Sequence, residues 1–289
     1  MLYQLPPNKL LEFSVQFQHF EKIIGMPGID ENINADILGI GVEEYSNIKN
    51  QFTENARVAA KELLADSSFS ALVDQIPFAP GEKVVGLGDS ITDDSQSWLE
   101  ILRFILEIRR ESDGIEIINA GISGNTTAQM ISRFSYVALQ QPDWIICLAG
   151  SNDVRLHGKS PTKVLVSKEE SEKNLMMLRN FAETQTAAQW IWMTPPGFIE
   201  KKVRAIWFPN PIEVMFLNDN IISIADVIRK QPDKVVDIQA VFGVPPEPEL
   251  MLFDGLHPSL EGQKLIVSEL IKELTAQPRA NHDSAAAER

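Results

Sequence analysis

Cysteine is almost absent from this chain. The one present, Cys147, sits inside the apolar run Trp144-Ile145-Ile146-Cys147-Leu148-Ala149. No intrachain disulfide can form, and Cys147 reads as a small buried hydrophobe rather than a reactive thiol. Cationic residues are also scarce: 26 Lys and Arg stand against 40 Asp and Glu, a net charge of −14. Such a field repels phosphate backbones and disfavours nucleic acid and polyanionic substrates, although a local basic pocket can still hold one anionic group. Long apolar runs are missing, and none reaches the ~20 residues of a membrane span. The stretch Met1 to Pro7 lacks the basic region and apolar core of a secretory signal, so a cytoplasmic location is the expectation.

What is present is an ordinary globular composition, 44% hydrophobic and 23% charged, over 289 residues. That length suits one enlarged domain or a domain with an appendage. Residues 8 to 24 place Leu10, Phe13, Phe17, Phe20 and Ile24 at spacings of three and four, one face of an amphipathic helix that Met26-Pro27-Gly28 should end. A linker with Asn32 and Asn34 comes next. Tyr45, Ile48, Phe52, Ala56, Ala59 and Leu63 then repeat the same period, and Ser67 to Ile76 suits a short third helix. Pro77-Phe78-Ala79-Pro80-Gly81 is a connector. Residues 1–80 therefore read as an N-terminal helical extension. Its apolar faces need burial, either on the following domain or on a second copy, so a homo-oligomer through these helices is one of two expectations. His19, among Gln16, Gln18 and Glu21, shows no ligand spacing and reads as a solvated or capping histidine.

From Lys83 the pattern alternates strand and helix. Strands are expected at 84–87, 115–119, 144–149, 189–194 and 234–238. Helices are expected at 97–110, 127–134, 169–184, 213–230 and 260–274. Several strands are near-continuous apolar runs, as burial on both faces of a parallel sheet requires. The expectation is an α/β fold, a three-layer α/β/α sandwich with a five-stranded parallel sheet in the flavodoxin-like order 2-1-3-4-5. This domain would span 81–277, and 278–289 would be a disordered tail holding His282.

In a parallel sheet all strand carboxyl ends share one edge, so the residues just past each strand make up the site. After the first strand comes Gly88-Asp89-Ser90, after the second Ile122-Ser123-Gly124-Asn125, after the third Gly150-Ser151-Asn152-Asp153. After the fifth, beyond a longer loop, comes Asp254-Gly255-Leu256-His257-Pro258. A hydroxyl, donors at a glycine, an amide, a carboxylate and an imidazole make a full set for acyl transfer. His257 is the best base for Ser90, its ordinary pKa of about 6.5 suiting proton transfer near neutrality. Asp254, three residues earlier, can hold one ring nitrogen while the other faces Ser90. The N–H groups of Ser90 and Gly124 and the amide of Asn152 can form an oxyanion hole. Asp153 reads as structural, and His157 as a loop residue near the site. After the fourth strand, Pro195 to Pro211 carries Phe198, Arg204, Trp207 and Phe208, expected to contact substrate or to anchor the loop.

These four blocks, in this order, resemble the SGNH hydrolase superfamily, the GDSL-type lipases and esterases, over residues 83 to 275. The family's Ser, Gly, Asn and His match Ser90, Gly124, Asn152 and His257, with Asp254 as the acid. The first block here reads Gly-Asp-Ser-Ile rather than Gly-Asp-Ser-Leu, and the N-terminal helices have no counterpart in the minimal family domain. The resemblance implies a flavodoxin-like sandwich and a Ser-His-Asp serine hydrolase. It implies a small ester substrate, short-acyl or a carbohydrate O-acetyl, and no metal or cofactor. Two other readings use the same residues: a catalytically weak protein binding a ligand or partner through its N-terminal helices, and acyl transfer to an acceptor other than water.

Overall fold

A computed structural model describes residues 6–22, 28–158, 162–207 and 213–276. The expected tail at 278–289 with His282, the helix stop at Met26-Pro27, Ile24 and Phe208 lie outside the described residues. The apolar runs become β1 (Lys83–Gly88), β2 (Glu116–Gly121), β3 (Trp144–Leu148), β5 (Gln189–Met193) and β7 (Lys234–Val236). Two short segments, β4 (Leu156–His157) and β6 (Val214–Met215), pair antiparallel beside them. The five-stranded sheet is parallel throughout, in the order β2-β1-β3-β5-β7. Counted over those five strands, this is the expected 2-1-3-4-5.

Side chains alternate across the sheet with the strand period of two. Val84, Ile146, Leu148, Ile191 and Met193 enter one core, while Val85, Leu87, Ile145, Cys147 and Trp192 enter the other. Each face therefore needs its own layer of helices. The helices, in chain order, begin with α1 (Pro7–Phe17), α2 (Glu31–Leu38), α3 (Val42–Leu64) and α4 (Ser67–Val73). The sandwich proper holds α5 (Ser90–Asp93), α6 (Trp98–Arg109), α7 (Thr127–Ser132), α8 (Phe134–Ala138) and α9 (Lys168–Gln185). It continues with α10 (Glu200–Trp207), α11 (Asn218–Arg229), α12 (Ile238–Phe242) and α13 (Leu260–Thr275). The first core is closed by α3, α4, α6, α12 and α13, and the second by α7, α8, α9, α10 and α11.

Much of the apolar surface of the N-terminal helices is buried against the rest of the chain. Ala56, Ala59 and Ala60 of α3 are fully buried in the same cluster as Trp98, Leu102 and Ile105 of α6. Small side chains at these positions let the two helix backbones approach closely. Arg57 lies over the Phe104 ring at 4.3 Å and covers the seam. Val15, Ala35 and Tyr45 form a small separate core that joins α1 and α2 to α3.

Several boundaries differ from the sequence expectation. The periodic stretch 8–24 stops being an α-helix at Phe17. The Gln16 carbonyl there accepts from Ser95 N, and Phe20–Lys22 form a 3₁₀ turn. Tertiary partners replace the next turn of helical bonds. The expected linker holds α2, capped by Asp30, whose side chain accepts from Asn32 N and Ile33 N, and ended by Gly39 at φ 72°. The loop after β5 contains α10, which buries Val203 and Ile206. The helix expected from 213 starts at Asn218, because Val214 and Met215 pair with β4 instead.

Candidate active site

The site forms where β1 ends. The chain goes from β1 to β2 on one side and reaches β3 on the other, and such a crevice at the carboxyl ends of an open α/β sheet is where ligands bind. Gly88 lies so close to the neighbouring strand that a Cβ there would stand 2.8 Å from the Leu148 carbonyl oxygen. It would also run into the Thr92 side chain of α5, so the missing side chain leaves room for α5 to lie against β1. Asp89 comes next, fully buried, and its Oδ1 accepts from Ile91 N at 3.1 Å. Burial pushes its carboxyl up to about 6. Ser90 is thereby held at the first helical position, lining a cavity of about 210 Å³.

The loop before α13 carries Asp254 and His257. Asp254 is fully buried and its Oδ1 accepts from Leu256 N at 2.9 Å and His257 N at 3.1 Å. Its Oδ2 accepts from His257 Nδ1 at 2.6 Å. The carboxylate can only accept, so Nδ1 carries the hydrogen and Nε2 is left to face Ser90 Oγ, 3.0 Å away. Burial works against a charge on either partner, and each offsets this for the other. The His257 ring is raised above its ordinary value, chiefly by the Asp254 charge and hydrogen bond, while Asp254 is held below the usual carboxylate range.

Gly124 and Asn152 line the same cavity as Ser90. Gly124 is at φ 81°, a left-handed conformation that favours glycine. The Asn152 amide gives one hydrogen to Asn125 O at 3.2 Å, leaving its second for the cavity. Arg133, 6% exposed, ties these strand ends together. Its guanidinium donates to Gly88 O at 3.1 Å, Ala120 O at 2.8 Å and Asn125 Oδ1 at 2.7 Å. Asp153 has the structural place expected of it: it accepts from Thr127 N, Thr127 Oγ1 and Ser171 Oγ, joining α7 to α9.

Sequence reasoning missed the contribution of the N-terminal segment. Phe13 and Phe17 line the cavity, and the Phe17 ring lies over His257 with centroids 4.4 Å apart. His19, expected to be solvated, is instead turned inward. Its Nδ1 donates to Asp93 Oδ1 at 2.8 Å, and its Nε2 meets Ser95 Oγ at 2.9 Å. Lys22 Nζ donates to the same Asp93 oxygen, at 2.5 Å. The other Asp93 oxygen accepts from Ser123 N and Ser123 Oγ, both at 2.8 Å. Asp93 thus links the N-terminal segment to the residue before Gly124. Burial opposes its charge, but the His19 hydrogen bond and the Lys22 charge outweigh it and hold the carboxyl at about 2. Aromatic spacing in 8–24 signalled a helix face, but no local pattern says which surface covers it.

The loop after β5 departs from expectation. Phe198, expected at the substrate, is fully buried and packs on Phe216 with centroids 5.0 Å apart. Arg204 is exposed on α10 and does not line the cavity. The helical period explains its place: α10 turns Val203 and Ile206 inward and carries Arg204 outward. Trp207 does line the cavity, together with Arg155 and His157, which no motif had singled out as substrate contacts.

A flavodoxin-like sandwich thus carries a hydrogen-bonded Ser–His–Asp array on its carboxyl edge. Residues 87–265, more than half of the chain, match the model of the GDSL-like lipase/acylhydrolase family, and the chain belongs to that family. It is 26% identical over 215 residues to an acetylxylan esterase of Geobacillus stearothermophilus, covering 67% of this chain and 94% of that protein. It is 25% identical over 212 residues to thioesterase 1/protease 1/lysophospholipase L1 of Escherichia coli K12, covering 71% and 88%. Among solved structures, an alpha/beta hydrolase enzyme from the metagenome of Lake Arreo superposes with a TM-score of 0.55 at 24% identity, covering 70% of this chain and 100% of that one. That likeness speaks to the fold.

Proposed function

We propose that the protein is a serine esterase hydrolysing a small ester, a short-chain acyl ester or a carbohydrate O-acetyl group, through an acyl-enzyme. The observation that carries this reading is the continuous chain Asp254–His257–Ser90, with links of 2.6 and 3.0 Å, opening on a small cavity. Ser90 Oγ attacks the ester carbonyl as His257 Nε2 takes its proton. Asp254 keeps Nδ1 protonated and stabilises the imidazolium. The carbonyl oxygen, now negative, is met by Ser90 N–H, Gly124 N–H and the second Asn152 amide hydrogen, each donor worth about 3–4 kcal/mol of barrier. The imidazolium returns its proton to the departing alkoxide. Water, deprotonated by the same nitrogen, then releases the acid and restores Ser90.

The small cavity supports a compact acyl group, and the acetylxylan esterase activity of one relative supports an acetyl ester. The test is labelling of the full chain by a fluorophosphonate together with turnover of a chromogenic acetate ester. The wild-type protein is expected to do both. Ser90→Ala should do neither while keeping its circular dichroism spectrum. A Ser90→Ala protein of full activity would refute the mechanism.

A further inference from the structure

Arg155 stands in the cavity wall with its guanidinium poorly partnered. It follows Asn152 by one turn, its backbone N–H donating to the Asn152 carbonyl at 3.3 Å. Its side chain lines the same cavity as Ser90 and His257. Among the described residues no carboxylate pairs with it, and its Nε is shut off from solvent without an acceptor. The indole Nε1 of Trp207, on the same wall, is a second buried donor without an acceptor among those residues. Arg133, which is buried at this sheet edge, is by contrast satisfied by three acceptors. Leaving buried N–H donors without an acceptor is costly, and such groups beside a cavity point to a ligand that completes them.

The rest of the lining agrees. Among the described residues it holds Arg155, His157 and His257 and no Asp or Glu. Arg155 is the one fixed charge among the described residues of this lining, and it is positive in a chain whose net charge is −14. Burial pulls Arg155 below its ordinary value, yet a guanidinium stays charged at any pH the protein meets. Its planar fork suits a planar two-oxygen anion.

We propose that the substrate is a small ester bearing one carboxylate, which Arg155 binds while the ester carbonyl sits at Ser90. Placement of the ester at Ser90 rests on the esterase reading; the anion site at Arg155 does not. The carboxylate can belong to the alcohol part of the ester or to its acyl part, and matched probes separate the two. For the alcohol part the pair is 4-acetoxybenzoate and neutral 4-acetoxybenzamide. For the acyl part it is phenyl hydrogen succinate and phenyl butyrate.

Binding of the four compounds to full-length Ser90→Ala protein by calorimetry removes turnover from the measurement. In at least one pair the anion should bind about 10- to 100-fold more tightly than its neutral partner. Arg155→Gln in the same background should bring that ratio close to one, and Arg155→Lys should keep part of it. A merely structural role would weaken both members of a pair and leave the ratio in place. Equal binding within both pairs, or a ratio that survives Arg155→Gln, would overturn the proposal. Anion-selective binding with no turnover of any ester by the wild-type protein would overturn the esterase reading and uphold the anion site.

Discussion

Replacing Asp93 by Asn should uncouple the N-terminal segment from the site. The carboxyl is 2% exposed and held at about 2, against an ordinary 3.8. That gap corresponds to about 2 kcal/mol of folding free energy. An unfolded chain takes up this proton at higher pH than the folded one. The stabilisation is therefore complete above the unfolded value and is lost as pH falls through 3.8 towards 2. Asn keeps one acceptor oxygen but not the charge, and it leaves Lys22 facing a neutral group. The Lys22 side chain is 23% exposed, so water can reach it, and the cost stays below the roughly 3–5 kcal/mol of breaking a fully buried pair. A loss of about 2–3 kcal/mol at pH 7 is expected, read as a lower urea midpoint with an unchanged slope. The difference from wild type should shrink on acidification below about pH 4. Because Asp93 also anchors Ser123 N, the donor at Gly124 should loosen and kcat on an acetate ester should fall about tenfold. An Asp93→Asn protein with the wild-type midpoint at pH 7, or with the wild-type acid limb, would refute the reasoning.

Other outcomes rest on the same geometry. His257 must be neutral to accept a proton and is raised above 6.5, so kcat/KM should climb with pH through an inflection above that value. Asp254→Asn removes the main charge that raises it, moving the inflection down and lowering kcat by about 10⁴-fold. Asp89 and Asp94 are both pushed up to about 6 by burial. Their contribution to stability is fully present below 3.8 and lost as pH rises through 6, so the urea midpoint should increase from about pH 7 to about pH 5. Phe17→Ala, at a ring 2% exposed and stacked on His257, should cost about 3 kcal/mol of stability and raise the relative rate on longer acyl chains, measured across a chain-length series. Gly88→Ala would drive a methyl into the Leu148 carbonyl and should lower stability by about 2–3 kcal/mol in thermal unfolding, with loss of turnover.

Much of the layout is legible in local patterns. Apolar runs of strand length alternating with helical periods define a parallel sheet, and the sheet's polarity puts every strand's carboxyl end on one edge. Gly88-Asp89-Ser90, Gly124, Asn152 and Asp254-x-x-His257 were readable for that reason: each lies just past a strand or within one turn of its partner. Where local signals were weak, boundaries slipped. The segment 31–38 has too few apolar residues to show a period, and only its Asp30 cap and Gly39 stop mark it as a helix. The surroundings of the site, by contrast, come from packing. Phe17 over His257, His19 and Lys22 on Asp93, the unpaired Arg155 Nε and Phe198 in the core all depend on which surfaces meet between separate parts of the chain. A spacing in sequence sets which face of an element a side chain occupies. It does not set what the opposing face will be, because that is chosen by the packing of two cores and the pairing of buried charges over the whole molecule.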